Sequence, residues 1–217
     1  NDWSSTLALT GNESYFYPAI GLSAIISQMI TLPDFITFAK ARASYTTVAN
    51  EVPFNVINPM HSVTASGGVS RNTRMPFTDA KPEMLRSLEI GTDWRFLNGR
   101  LGFDFTYYNI NSQDQFISLP APSGSGYTSY FVNAGEIINK GVELTLDAEP
   151  ISGEFRWNTA FNFSANKNTV TELIPDDAKK RIDLGSSEGY YNYIVAGGSF
   201  GDLYGYKFLR NDKGQII

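Results

Sequence analysis

Few side chains here are suited to chemistry, and their spacing argues against catalysis. His61 is the only histidine and has no companion nucleophile pattern, so it reads as a solvated loop residue. The absence of cysteine excludes disulfides, thiol catalysis and zinc-thiolate sites. Glu143, Asp147 and Glu149 recur at a spacing that could hold a cation or form a carboxylate pair. Strand alternation accounts for them equally well, as a wet wall. Asp212-Lys213-Gly214 has a fragment of a calcium loop without its other ligand positions, and reads as a turn. Residues 197–205 are glycine-rich but lack the lysine and hydroxyl of a phosphate loop, and are expected as a flexible loop. No enzyme activity, metal or cofactor is expected. The residues left over are aromatic. Phe77, Tyr127, Tyr130, Phe131, Tyr190, Tyr191 and Tyr193 lie in loops where neither core nor lipid requires them. They are the candidates for binding a ligand or a partner, by stacking on sugar rings or peptide side chains or by packing of loops on one another.

These candidates depend on a set of strands. Leu88, Ile90, Thr92, Trp94 and Phe96 alternate with Glu89, Gly91, Asp93 and Arg95; beyond Asn98-Gly99, Leu101, Phe103, Phe105 and Tyr107 alternate with Gly102, Asp104, Thr106 and Tyr108. Asn-Gly between two alternating runs predicts a hairpin. Further strands are expected at 15–26, 38–47, 142–149 and 155–165, with Pro18 weakening the first. The strands look roughly nine to eleven residues long, the length that crosses a bilayer at a steep tilt. The connections alternate between tight turns and long segments at about 49–82, 113–133 and 168–204, the last containing Pro175-Asp176-Asp177. This is the rhythm of an outer-membrane barrel. Leu101, Phe103, Phe105, Leu144, Leu146, Phe161 and Phe163 are expected to face outward, and Asp93, Asp104, Glu143, Asp147 and Asn162 the lumen. Trp94, Phe96, Tyr107 and Trp157 are expected as girdle residues. A six-strand meander has two open edges, which hydrocarbon does not tolerate, so further strands must be supplied elsewhere.

Composition agrees. Aromatic residues make up 14% of the 217, with 15 Phe and 12 Tyr, against 18% charged. Mean hydropathy is -0.21, as expected where lipid-facing and lumen-facing residues cancel. No apolar run is long enough for a membrane helix. A net charge of -5, without a basic stripe, excludes nucleic acid as a partner. The opening Asn-Asp-Trp, with neither methionine nor signal peptide, leads us to expect a piece of a longer protein.

Six stretches carry a family resemblance: NDWSSTL at 1–7, SYFYPAIGLSAIIS at 14–27, LPDFITFAKARASY at 32–45, KPEMLRSLEIGTDWRFLNGRLGFDFTYYN at 81–109, GYTSYFVNAGEIINKGVEL at 126–144, and GGSFGDLYGYKFLRNDKGQI at 197–216. In this order they resemble the SusC/RagA-like TonB-dependent outer-membrane transporters of Bacteroidetes. The resemblance implies an all-β, antiparallel up-and-down meander from the later part of a barrel of about 22 strands, closed by an N-terminal plug that this chain lacks. It also implies import of a glycan or peptide through the outer membrane with a SusD-like lipoprotein lid, driven by the TonB complex acting on the missing N-terminal part. Val48-Ala49-Asn50 stands where the family often has a glycine, and no residue here is assigned to energy coupling. A passive outer-membrane channel or adhesin barrel, and a soluble β-sandwich binding module, are the competing readings.

Overall fold

The computed structural model describes residues 2–173 and 181–217; the Pro175-Asp176-Asp177 stretch lies outside them. Asp2–Trp3 (β1) pairs with Ser14–Tyr15 (β2). Ala19–Ile25 (β3) and Ile36–Asn50 (β4) follow, joined through one helical turn at Ile26–Met29. Ser62–Val63 (β5) and Val69–Ser70 (β6) form a small hairpin. Four long strands come next: Glu83–Phe96 (β7), Leu101–Pro120 (β8), Ser129–Ile151 (β9) and Trp157–Glu172 (β10). Arg181–Ser187 (β11), Tyr190–Val195 (β12) and Leu203–Gly205 (β13) build a separate three-stranded sheet. The main sheet is antiparallel in the order β3-β4-β7-β8-β9-β10, open at both ends. No helix among the described residues is long and apolar enough to cross a membrane, which a strand barrel does not need.

The first expected strand is split: β2 ends at Tyr15 and β3 begins at Ala19, because Pro18 has no N–H to give a ladder. Its carbonyl still accepts from Thr47 N at 2.9 Å. The β7–β8 hairpin turns one residue earlier than Asn-Gly alone implies. Leu97 and Asn98 are both left-handed, at φ 53° and 56°, Gly99 follows at 84°, and Gly99 N bonds Phe96 O at 3.0 Å.

Register sorts the side chains onto two faces, as the alternation predicts. On one, Trp94 pairs with Phe103 and Phe103 with Leu146, which pairs with Phe161; Phe105 pairs with Leu144, which pairs with Phe163. Ile20, Tyr45 and Leu88 extend this apolar face towards β3. On the other face Asp93 pairs with Asp104, Thr106 with Glu143 and Thr145 with Asn162. Phe161 and Phe163 remain 56% and 48% exposed, and neither buried cluster of the described residues contains them. Among the described residues no second sheet covers the apolar face, so the sandwich reading fails.

The strands are longer than expected, 20 residues in β8 and 23 in β9. The bilayer-sized part is only one end. On the apolar face of β8, Leu101 to Tyr107 is hydrophobic, and from Asn109 onward the same face carries Asn109, Asn111 and Gln113. The stretch 113–133, expected as a loop, is the far end of this hairpin, with 121–128 as its tip. The 168–204 segment likewise contains the end of β10 and most of the small sheet.

Asp114 (φ 55°) and Gly135 (φ 86°) stand opposite each other between the Gln113–Glu136 and Gln115–Ala134 pairs. Left-handed residues facing each other turn the hairpin over. Ile137 lies on the polar face with Asn139 and Glu143, yet it packs with Ile117 and Leu119, whose parity below the kink would be apolar. One buried cluster, Val170, Leu173, Ile182 and Ile194, therefore continues the polar face and docks the small sheet there. A second, Leu7, Val52, Val56 and Ala80, packs through Phe116 and Phe131 on the opposite face. Gly135→Ala should cost about 1–2 kcal/mol, since an L-residue resists left-handed φ and its Cβ would press on the Glu172 and Leu173 carbonyls at 3.4 Å. The measurable result is faster proteolytic cleavage within 181–205 while the barrel stays resistant to detergent unfolding; unchanged cleavage would mean the small sheet does not depend on the kink.

Candidate functional site

Three long side chains cross the polar face over glycines. Arg42 on β4 lies across Gly91 of β7 and makes a bidentate pair with Asp104 of β8 at 3.0 and 2.9 Å, with a third bond to Thr106 Oγ1 at 2.6 Å. A Cβ at Gly91 would come within 2.7 Å of Arg42 Nε. Arg95 on β7 crosses Gly102 to reach Asp147 on β9 at 2.8 Å. Tyr108 on β8 crosses Gly141, and its hydroxyl donates to Asn166 on β10 at 3.2 Å. Each contact skips a strand.

Of the acidic candidates, Asp147 is thus held by Arg95 and Glu149 by Arg156 at 3.1 Å. Among the described residues no cluster of three or more His, Asp or Glu could hold a metal. His61 Nδ1 accepts from Asn72 N at 3.0 Å and ties the base of the β5–β6 hairpin. The 211–215 segment is a turn in which the Asn211 carboxamide oxygen accepts from Lys213 N and Gln215 N, with Gly214 at φ 78°.

Along the polar face a run of amides leads to the small sheet. Asn168 donates to Asn139 Oδ1 at 2.8 Å, while its own Oδ1 accepts from Phe200 N at 2.7 Å and Ser199 Oγ at 3.3 Å. Asp202 accepts from Ser199 N at 2.9 Å. The glycine-rich stretch, expected to be flexible, is a turn pinned at both sides. The sheet it holds buries Ile182 and Ile194 against the hairpin. Its other face carries a tyrosine array. Tyr191 and Tyr193 are near-coplanar, 7° apart with centroids at 5.7 Å; Tyr206 meets Tyr191 edge-on at 5.5 Å and Tyr204 lies 5.5 Å from Tyr193. The Arg181 guanidinium sits 4.5 Å from the Tyr193 ring centre. Hydrogen bonding with Tyr206 holds the Tyr191 phenol above the usual tyrosine range.

The candidate aromatics thus divide. Tyr191 and Tyr193 come together in this array, and Tyr190 leaves the opposite face, 63% exposed. Phe77 and Phe131 are packing residues: Phe131 stacks on Phe116 at 4.2 Å with Arg74 above it, and Phe77 lies 5.9 Å from Phe116. Tyr127 and Tyr130 stand at and beside the hairpin tip. The reading from sequence missed Tyr204, Tyr206 and Arg181. Tyr204-Gly205-Tyr206 repeats the i, i+2 spacing of Tyr191 and Tyr193, a signal available in the sequence.

Comparison with known proteins fits this geometry. A family model described as TonB dependent receptor-like, beta-barrel, matches residues 1–213. TonB-dependent receptor P3 of Formosa agariphila is 32% identical over 212 residues, covering 91% of this chain and 21% of that protein. TonB-dependent receptor SusC of Bacteroides thetaiotaomicron is 26% identical over 177 residues, 76% of this chain and 18% of that one. The RagAB peptide importer in its closed-closed state superposes with a TM-score of 0.77 at 20% identity, over 98% of this chain and 25% of that one. The chain thus spans about a fifth of the curated relatives it matches. It belongs to the TonB-dependent receptor β-barrel family and is an open run of outer-membrane barrel strands.

Proposed function

We propose that this chain forms part of the wall and mouth of a SusC-like importer of glycans or peptides, powered by the TonB complex and closed by a SusD-like surface lipoprotein. The observation that carries the reading is the inversion at Asp114 and Gly135, through which the tyrosine-bearing sheet docks on the continuation of the polar face. In a membrane barrel that face lines the lumen, because the exposed phenylalanines must meet lipid. Barrels of this kind keep tight turns at the periplasmic rim and long connections outside; the turns at 97–100 and 152–156 then mark the inner rim. Tyr191, Tyr193, Tyr204 and Tyr206 overlook the lumen and contact the ligand. Phe77 and Phe131 brace the outer side, and Tyr127 and Tyr130 at the hairpin tip meet the lid. The arginine-paired carboxylates serve the wall, and the reading assigns no catalysis. The RagAB importer, named for peptides, gives one ligand class to try, and the glycans that the family resemblance implies give the other.

The test uses the full-length transporter in its own host, on a panel of glycans and peptides. Loss of the gene should abolish growth on one of them. Tyr191→Ala with Tyr193→Ala should raise the concentration needed for half-maximal uptake of that nutrient roughly tenfold, with normal barrel abundance. Unchanged uptake removes the tyrosines from the ligand path. Uptake that persists without TonB makes the protein a passive channel.

A further inference from the structure

On the lipid-facing side the chemistry changes within one row. Tyr107, Val142 and Ala165 are cross-strand neighbours, and the next row along the same face is Asn109, Lys140 and Lys167. No register shift intervenes between these rows, so both lysines share the face of Leu144 and Phe163. The step is two residues, about 7 Å along the strand, and carries the surface from apolar band to headgroup layer.

Lys140 and Lys167 are direct partners in the β9–β10 ladder. Both are exposed, and among the described residues neither has an ion-pair partner. Like charges directly opposite on a sheet repel, and the surroundings on this face do not relieve them. Glu136, two rows further up the same face, already accepts from Asn111 at 2.7 Å, Gln113 at 2.9 Å and Thr171 at 2.7 Å. Arg86 on β7, opposite Asn111, adds a further cation to the same side. Among the described residues no carboxylate forms an ion pair with either lysine.

We propose that Lys140 and Lys167 bind the phosphate of a phosphorylated glycolipid of the outer leaflet, whose acyl chains run down over Tyr107, Ala165 and Phe163. Two ammonium groups side by side give a phosphate several donors at once. Their place at the border of the apolar band selects a lipid over a free ion, because only a lipid gains from the rings below. The proposal rests on the placement of the strands in the outer membrane and is independent of what the barrel imports.

The experiment measures phosphorylated glycolipid retained by the full-length transporter purified from outer membrane in mild detergent, by native mass spectrometry. The parent protein should retain it. Lys140→Gln with Lys167→Gln should lower the retained amount at least about tenfold, and Lys140→Arg with Lys167→Arg should restore it. On the parent protein, exchange with a dephosphorylated form of the same glycolipid should give equally weak retention, a measurement that needs no variant to assemble. Equal retention by the Gln variant, or of the dephosphorylated lipid, overturns the proposal. Displacement of the bound lipid by millimolar inorganic phosphate alone assigns the lysines to a free anion and also overturns it. Uptake, measured on the same variants, tests the import reading separately.

Discussion

Gly141→Ala should be the most damaging single change on the sheet, removing detergent-resistant barrel and costing about 3 kcal/mol in refolding into lipid. An added Cβ there would collide with the Ala165 carbonyl oxygen as well as the Tyr108 hydroxyl. The first is backbone in the β9–β10 ladder and has nowhere to go. Gly91→Ala provides the control, since the three atoms nearest its Cβ all belong to the flexible Arg42 side chain. Arg42→Ala should therefore recover most of the loss in Gly91→Ala, while Tyr108→Ala should leave Gly141→Ala defective. The urea midpoints of the two double variants decide this. Full recovery of both would mean that the glycines only clear space for side chains, and near-native stability of Gly141→Ala would show that β9 and β10 can move apart.

Phe103→Arg should lose about 2–4 kcal/mol of barrel stability, the cost of a guanidinium near the bilayer midplane. Phe103 stacks beside Phe105 at 6.5 Å and pairs with Trp94 and Leu146, so no water-filled space receives the charge. Asp104, its neighbour in sequence, points to the other side. Asp104→Ala breaks the bidentate pair with Arg42, but both side chains are more than a third exposed, 37% and 35%, and water screens what is lost. We expect about 1 kcal/mol there. A folding titration in lipid vesicles compares the two; equal losses would contradict the assignment of faces.

The membrane part of the fold was legible because a sheet with different solvents on its two sides writes a period of two into the chain. Phe103, Phe105 and Phe161 needed no structure to be assigned. The part beyond the bilayer was not legible, because there both faces of the β8–β9 hairpin are covered and alternation stops carrying information. Ile117 and Phe116 are adjacent and both apolar, each packing on a different cluster. Residues 113–133 consequently read as a polar loop. The inversion at Asp114 and Gly135 is also invisible in sequence, since neither residue alone announces that its partner across the ladder is left-handed as well. For the candidate aromatics, composition identified Tyr191 and Tyr193, but only the tertiary arrangement separates them from Phe77 and Phe131.

The glycine crossings have a consequence for how the wall is built. A hairpin of neighbouring strands can complete its backbone ladder without them, since Arg42, Arg95 and Tyr108 find their partners two strands away. Arg42 meets Asp104 only when β7 already lies between β4 and β8, in the register that puts Gly91 beneath the guanidinium. A slip of one residue would place Ile90 or Thr92 there and send every side chain to the wrong solvent. The bond forms after the third strand arrives and only if the second was laid correctly. During insertion these contacts act as a delayed check, rewarding triplets over pairs, and a strand added out of register stays free to leave.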